Sequence, residues 1–141
     1  MRTQAGSTDS SQSTHTAFAI GRQDLDARTS VIAVAGELDL ATAPELKWTL
    51  LDALEEGHSQ LILDLSGTSF MDSTALGVLV GVNRSFEQGG TLAIVCAHAG
   101  VLKIFELSGV DGVFAILPTL EDALAAVRAR AGHGAHVAEA G

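Results

Sequence analysis

Apolar positions along the chain follow two spacings. Short alternating or unbroken runs mark strands, and runs with apolar residues three and four apart mark helices. A first strand is predicted over Thr16–Gly21 and a second over Ser30–Ala35, with the polar stretch from Arg22 to Arg28 turning the chain into an antiparallel hairpin. Gly36-Glu37-Leu38-Asp39 closes the second strand, and Thr42 with Glu45 three residues on is a capping-box pattern for a helix running to about Glu56. Leu46, Leu50, Ala53 and Leu54 give that helix one buried face, and Trp48 falls off it, as a rim residue or a partner contact, with the rim the simpler reading. After Gly57, Gln60–Leu65 is apolar enough to be a strand buried on both faces. A helix capped by Asp72 runs to Gln88, with Ala75, Leu76, Leu79, Val82 and Phe86 turned inward. Gly89-Gly90 leads to a strand over Thr91–Cys96 and then a helix over Gly100–Ser108. A short strand over Val113–Leu117 follows, and Thr119 with Asp122 starts a last helix reaching Arg130.

This order predicts an α/β fold in which a mixed sheet of about five strands is covered by about four helices. Helix-length connections make the strands after the hairpin parallel neighbours. Residues 1–16 are rich in Ser, Thr and Gln with no apolar period, and 131–141 are poor in large apolar side chains. Both are expected to be disordered tails around one domain over 17–130. A chain of 141 residues with 47% hydrophobic content supports one core and is too short for two.

Charge and chemistry narrow the function. With 17 acidic and 8 basic side chains the net charge is −9, which argues against a nucleic-acid surface. Cys96 lies in an apolar run and is expected to be a buried small hydrophobe, not a reactive thiol. No run is long enough to span a membrane and no leader pattern opens the chain, so a cytoplasmic protein is expected. His15, His58, His98, His133 and His136 are scattered without metal-ligand spacing, and the nucleophile elbow, Walker and dinucleotide patterns are absent. No cofactor, metal or catalytic step by the chain itself is expected. Asp39 and Asp72 could face each other if their loops converge, but a hydrolytic dyad is a poor reading because Asp72 serves as a cap.

The junction from Phe70 to Gly81 is the stretch with most to say. A strand ends before it and a helix begins inside it, which puts Asp72 at the N-cap and Ser73 at the first helical position. Capping alone would account for the pair. A hydroxyl there nevertheless stands over free first-turn amides, where the helix end favours a phosphate. Gly77 and Gly81 share the outward stripe with Ser73 and Arg84, and each glycine costs roughly 1 kcal/mol relative to Ala. They imply close approach by a neighbour, either a helix of the same domain or a docked partner.

Phe70-Met71-Asp72-Ser73-Thr74-Ala75-Leu76-Gly77 resembles the phosphorylation signature of the anti-sigma factor antagonists of the STAS-domain family, with Ala75 where glycine is common. Gly36-Glu37-Leu38-Asp39 with Thr42-Ala43, and Phe105-Glu106-Leu107-Ser108-Gly109, resemble two further blocks of that family in the same order, while His98-Ala99 departs from its usual pair. The resemblance implies a single STAS domain that is a switch, not an enzyme. It implies phosphorylation at Ser73 by an anti-sigma factor serine kinase, which binds the unphosphorylated form and frees its sigma factor. It also implies resetting by a serine phosphatase, and a partner surface containing Asp39, Asp72, Ser73, Thr74, Gly77 and Gly81. The alternative is a STAS-like sensor holding a small anion or nucleotide at the helix end near Ser73.

Overall fold

The structure, a computed structural model, describes residues 17–86, 90–110 and 112–129. The expected tails, with His15, His133 and His136, lie outside these residues, as do Thr16, Gln88 and Arg130. The strands are β1 (Ala19–Asp24), β2 (Thr29–Leu38), β3 (Gln60–Met71), β4 (Thr91–Val95) and β5 (Ala115–Leu117). The helices are α1 (Ala43–Glu55), α2 (Ser73–Ser85), α3 (Ala99–Leu107) and a last helix over 120–129, here α4. The sheet order is the chain order, β1-β2-β3-β4-β5; β1 is antiparallel to β2 and every later pair is parallel.

Stepping one strand at a time with a constant hand of crossover places all the connecting helices on one face. Side-chain alternation shows it: Ile32, Val34, Leu61, Leu63, Leu65, Leu92 and Ile94 pack against α1, α2 and α3. Their neighbours Val31, Ile62, Ala93 and Val95 face the other way and meet Ala123 and Val127 of α4. Phe105 of α3 is fully buried and meets Phe114 edge to face, with ring centroids 6.1 Å apart. The inward face expected of α2 is buried at Ala75, Leu76, Leu79 and Val82. Cys96 is also buried, and burial pushes its thiol pKa up, away from the reactive thiolate.

Several boundaries differ from the sequence reading. The first strand lies three residues later, because β1 is an edge strand that keeps Arg22 and Asp24 in register opposite Ile32 and Ser30. The turn is confined to residues after Asp24, where the Asp26 carboxylate accepts from the amides of Arg28 and Thr29, both at 2.8 Å. α2 stops at Ser85, since Phe86 turns to an extended conformation and its ring packs on the core. β5 starts at Ala115, and Val113 is left exposed before it. α3 starts at Ala99 because His98 is its cap, its Nδ1 accepting from the amides of Gly100 and Val101.

The largest difference positions the site. β2 and β3 continue to Leu38 and Met71, well past Ala35 and Leu65. β4 pairs only with Gln60–Asp64 of β3, so among the described residues the far part of β3 pairs with β2 alone. The β2–β3 register slips twice there, between Ala33 and Ala35 and between Gly36 and Glu37. Gly36 takes φ +96° at the second slip, and a Cβ on it would stand 3.0 Å from the Ala17 carbonyl oxygen and the Phe18 Cα. Only glycine satisfies both demands.

Candidate functional site

The projecting ends of β2 and β3 bring two loops together. The Asp72 amide donates to the Leu38 carbonyl at 3.0 Å, so Asp39 and Asp72 leave adjacent strands side by side. Asp72 then works in two directions. One carboxylate oxygen accepts from the Ala75 amide at 3.0 Å, the N-cap bond expected from sequence, and the other accepts from the Leu40 amide at 3.1 Å. A single side chain thus starts α2 and ties the β2–α1 loop to it.

That loop is built differently from the capping-box reading. Thr42 makes no side-chain cap bond to α1. Its hydroxyl turns back to donate to the Glu37 carbonyl at 2.8 Å and accept from the Asp39 amide at 2.9 Å. The Asp39 carboxylate in turn accepts from the amides of Ala41 at 2.9 Å and Thr42 at 3.1 Å, closing a small turn. Pro44 stands in the first turn of α1, where its missing amide hydrogen costs nothing.

Ser73 is the first residue of α2 and is exposed, and its hydroxyl has no hydrogen-bond partner among the described residues. Thr74 is exposed beside it. Two apolar side chains that sequence reasoning left unassigned are exposed on the same loop and strand end, Leu40, 73% exposed, and Phe70, 47% exposed. Their exposure depends on the loop tie and the β3 extension, which no local pattern signals. A free anion at this helix end would meet the Asp72 carboxylate already bonded to the first turn, and this disfavours the anion-sensor alternative.

Gly77 and Gly81 are exposed further along α2, and a Cβ built on either meets nothing within 4 Å. Close packing of a helix from the same domain, one of the two explanations considered, is therefore not why they are glycines. They line a groove of about 480 Å³ between α1 and α2, together with Lys47, Leu51, Thr74, Val78, Val82 and Ser85. Trp48 is 60% exposed on α1, with the Lys47 ammonium 5.4 Å from the centre of its ring.

At the opposite end of the strands, Asp24, Glu56 and His58 place ligand-type atoms within 4.8 Å of one another, a cluster the scattered histidines did not reveal. Arg22 already fills it, bonding Glu56 at 2.6 Å and Asp24 at 2.8 Å, with His58 Nδ1 at 3.4 Å. These bonds to Arg22 hold the Asp24 and Glu56 carboxyls below their ordinary range and raise the guanidinium. The cluster is an ion-pair network joining β1, the end of α1 and the start of β3. No helix among the described residues is long and apolar enough to cross a membrane.

The family model for the STAS domain matches residues 23–123. The anti-sigma-F factor antagonist RsfB of Mycobacterium tuberculosis is 29% identical over 99 residues, covering 70% of this chain and 81% of that protein. Among solved structures, an anti-sigma factor antagonist from Mycobacterium paratuberculosis matches with a TM-score of 0.75 at 30% identity, covering 79% of this chain and 95% of that one. The Bacillus cell fate determinant SpoIIAA in its phosphorylated form matches with a TM-score of 0.62 at 26% identity, covering 77% and 99%. With the family model running from the end of β1 to the start of α4 and taking in the Asp72–Ser73 junction, the chain belongs to the STAS domain family.

Proposed function

We propose that this chain is an anti-sigma factor antagonist acting as a cytoplasmic partner switch. In its unphosphorylated form it binds an anti-sigma factor serine kinase, which then releases a sigma factor. Phosphorylation of Ser73 ends binding, and a serine phosphatase restores it. The observation carrying this reading is the exposed Ser73 hydroxyl at the start of α2, without a hydrogen bond among the described residues, next to the cap that ties the loop of Asp39 and Leu40 to the same helix. RsfB and SpoIIAA support it by their names and by the phosphorylated state of the latter.

The chemistry asked of the chain is slight. The Ser73 oxygen attacks the γ-phosphorus of ATP held by the kinase, ADP leaves, and the proton passes to a kinase base. The chain supplies position and an unhindered nucleophile. A phosphoserine adds roughly −1.5 to −2 charges. Within the domain, repulsion from solvated Asp72, about 1 kcal/mol per charge pair at ~4 Å in water, is largely offset by attraction to the helix end of about 0.3–1 kcal/mol, rising to roughly 2 in favourable geometry. At a docked interface no such offset exists, and burying the uncompensated charge costs several kcal/mol.

The test is incubation with ATP and the cognate kinase, read by intact mass and peptide mapping. One phosphate on Ser73, absent in Ser73→Ala, is expected; a phosphate on Thr74 instead would contradict the assignment. Asp39→Lys is expected to weaken kinase binding while the domain stays folded, with a loss of about 1–2 kcal/mol in stability from the turn bonds to the Ala41 and Thr42 amides; unchanged affinity would remove Asp39 from the surface.

A further inference from the structure

One face of α1 points away from the sheet. Glu45, Trp48, Asp52 and Glu55 recur at spacings of three and four residues, so they form one exposed stripe along that face. Between the stripe and the end of α2 runs a groove of about 290 Å³ lined by Trp48, Leu51, Asp52, Leu54, Glu55 and Ser85. Asp52 and Glu55 make no ion pair among the described residues, whereas the neighbouring Glu56 is bonded to Arg22. Trp48, the one tryptophan of the chain, is 60% exposed, and with the half-buried Leu51 and Leu54 it gives the groove an apolar wall beside the carboxylates. Its ring already holds a cation, the Lys47 ammonium, whose side chain lines the neighbouring groove and not this one.

Charge selects the occupant. A second copy of this chain would set like carboxylates against these, and nucleic acid or an anionic membrane would be repelled. We propose that the groove is a docking site for a basic amphipathic helix of a partner protein, its apolar residues against Trp48, Leu51 and Leu54 and its Arg or Lys side chains toward Asp52 and Glu55. Trp48 and Glu55 are ~10 Å apart along α1, about two helical turns, which a helix carrying cations at matching intervals spans. The site stands apart from the phosphoacceptor. Ser85 ends α2 where Ser73 begins it, ~18 Å along the axis and about two screening lengths at physiological salt. A partner held here makes a contact that does not depend on the switch at Ser73.

The single tryptophan serves as the probe. The full chain is titrated with a synthetic helix of about 18 residues made of Leu, Ala and Arg, and with its counterpart carrying Glu in place of Arg. A saturable change in Trp48 emission is expected with the Arg peptide alone. Asp52→Asn combined with Glu55→Gln, two isosteric surface changes, should weaken binding about tenfold and leave the thermal midpoint in place. Trp48→Leu, followed by calorimetry, should weaken it about as much. The same charge removed from exposed positions of α4, by Glu121→Gln with Asp122→Asn, should change affinity by less than about twofold. No saturable change below about 1 mM peptide overturns the proposal. Equal weakening by the two charge-removing pairs does so too, since attraction would then follow net charge and not the groove. Equal weakening by Ser73→Asp would place the peptide on the switch surface instead. A dimer in sedimentation that Trp48→Leu abolishes would give this face to a second copy, against the proposal.

Discussion

Replacing Asp72 with Ala removes two hydrogen bonds in one step, and the structure allows each to be given a size. The bond from the Ala75 amide, at 3.0 Å, caps α2, and loss of an Asp cap to Ala costs about 1 kcal/mol within a range of roughly 0.5–2. The bond from the exposed Leu40 amide, at 3.1 Å, is replaced by one to water, so its loss is worth about 0.5–1.5 kcal/mol. Together they come to about 2 kcal/mol. For a domain near 100 residues this lowers the unfolding midpoint by roughly 10 °C. Asp72→Asn keeps one good acceptor and caps nearly as well as Asp, so it should lose only the Leu40 bond, about half the effect. Urea unfolding of the two variants beside wild type separates these quantities, with the midpoint shifting and the m-value unchanged. A loss below about 0.5 kcal/mol in Asp72→Ala would refute the dual role, given the bond strengths assumed. Equal losses in the two variants would refute the division between cap and tie.

Three further outcomes follow from the packing and the charges. Gly36→Ala should destabilise by about 2 kcal/mol or more, because it combines the left-handed backbone with the 3.0 Å approach of Ala17 and Phe18, and thermal unfolding reads this directly. Phe105→Ala should cost about 3–5 kcal/mol, as it empties a fully buried site and removes the contact with Phe114; urea unfolding measures it, and a loss under about 1.5 kcal/mol would contradict the core assignment. Arg22→Gln should return the Asp24 and Glu56 carboxyls toward their ordinary values of 3.8 and 4.5, as followed by NMR titration of the carboxyl carbons. Because the folded values are depressed, their contribution to stability is present above those ordinary values and lost as pH falls through the lowered ones, so the variant should show a flatter acid limb.

What was legible in the sequence was what local chemistry decides. The Asp72 cap needs only an acceptor before an apolar helical run. The buried stripe of α2 and the alternation that divides the two sheet faces follow from periodicity alone. The order of strands followed from connection length. The missed features depend on residues far apart in the chain. β3 runs on through Ser66-Gly67-Thr68-Ser69, which has no strand alternation, because pairing with β2 holds it. Thr42 looked like a helix cap, yet the extended β2 offers the Glu37 carbonyl to its hydroxyl. Leu40 and Phe70 carried no reading of their own in the sequence, and only the tie between Leu40 and Asp72 and the projecting strand ends leave them exposed at the end of the sheet where α2 begins. The Arg22 network joins residues 36 apart in sequence, beyond the reach of any motif.

The most direct test of the switch is a calorimetric titration of the cognate anti-sigma factor kinase with two preparations of this chain, one unphosphorylated and one carrying a single phosphate on Ser73. Since each 1.4 kcal/mol is tenfold in affinity, a cost of several kcal/mol predicts a loss of roughly a hundredfold or more, with circular dichroism unchanged between the two forms. Equal affinity of the two preparations would contradict a switch at Ser73.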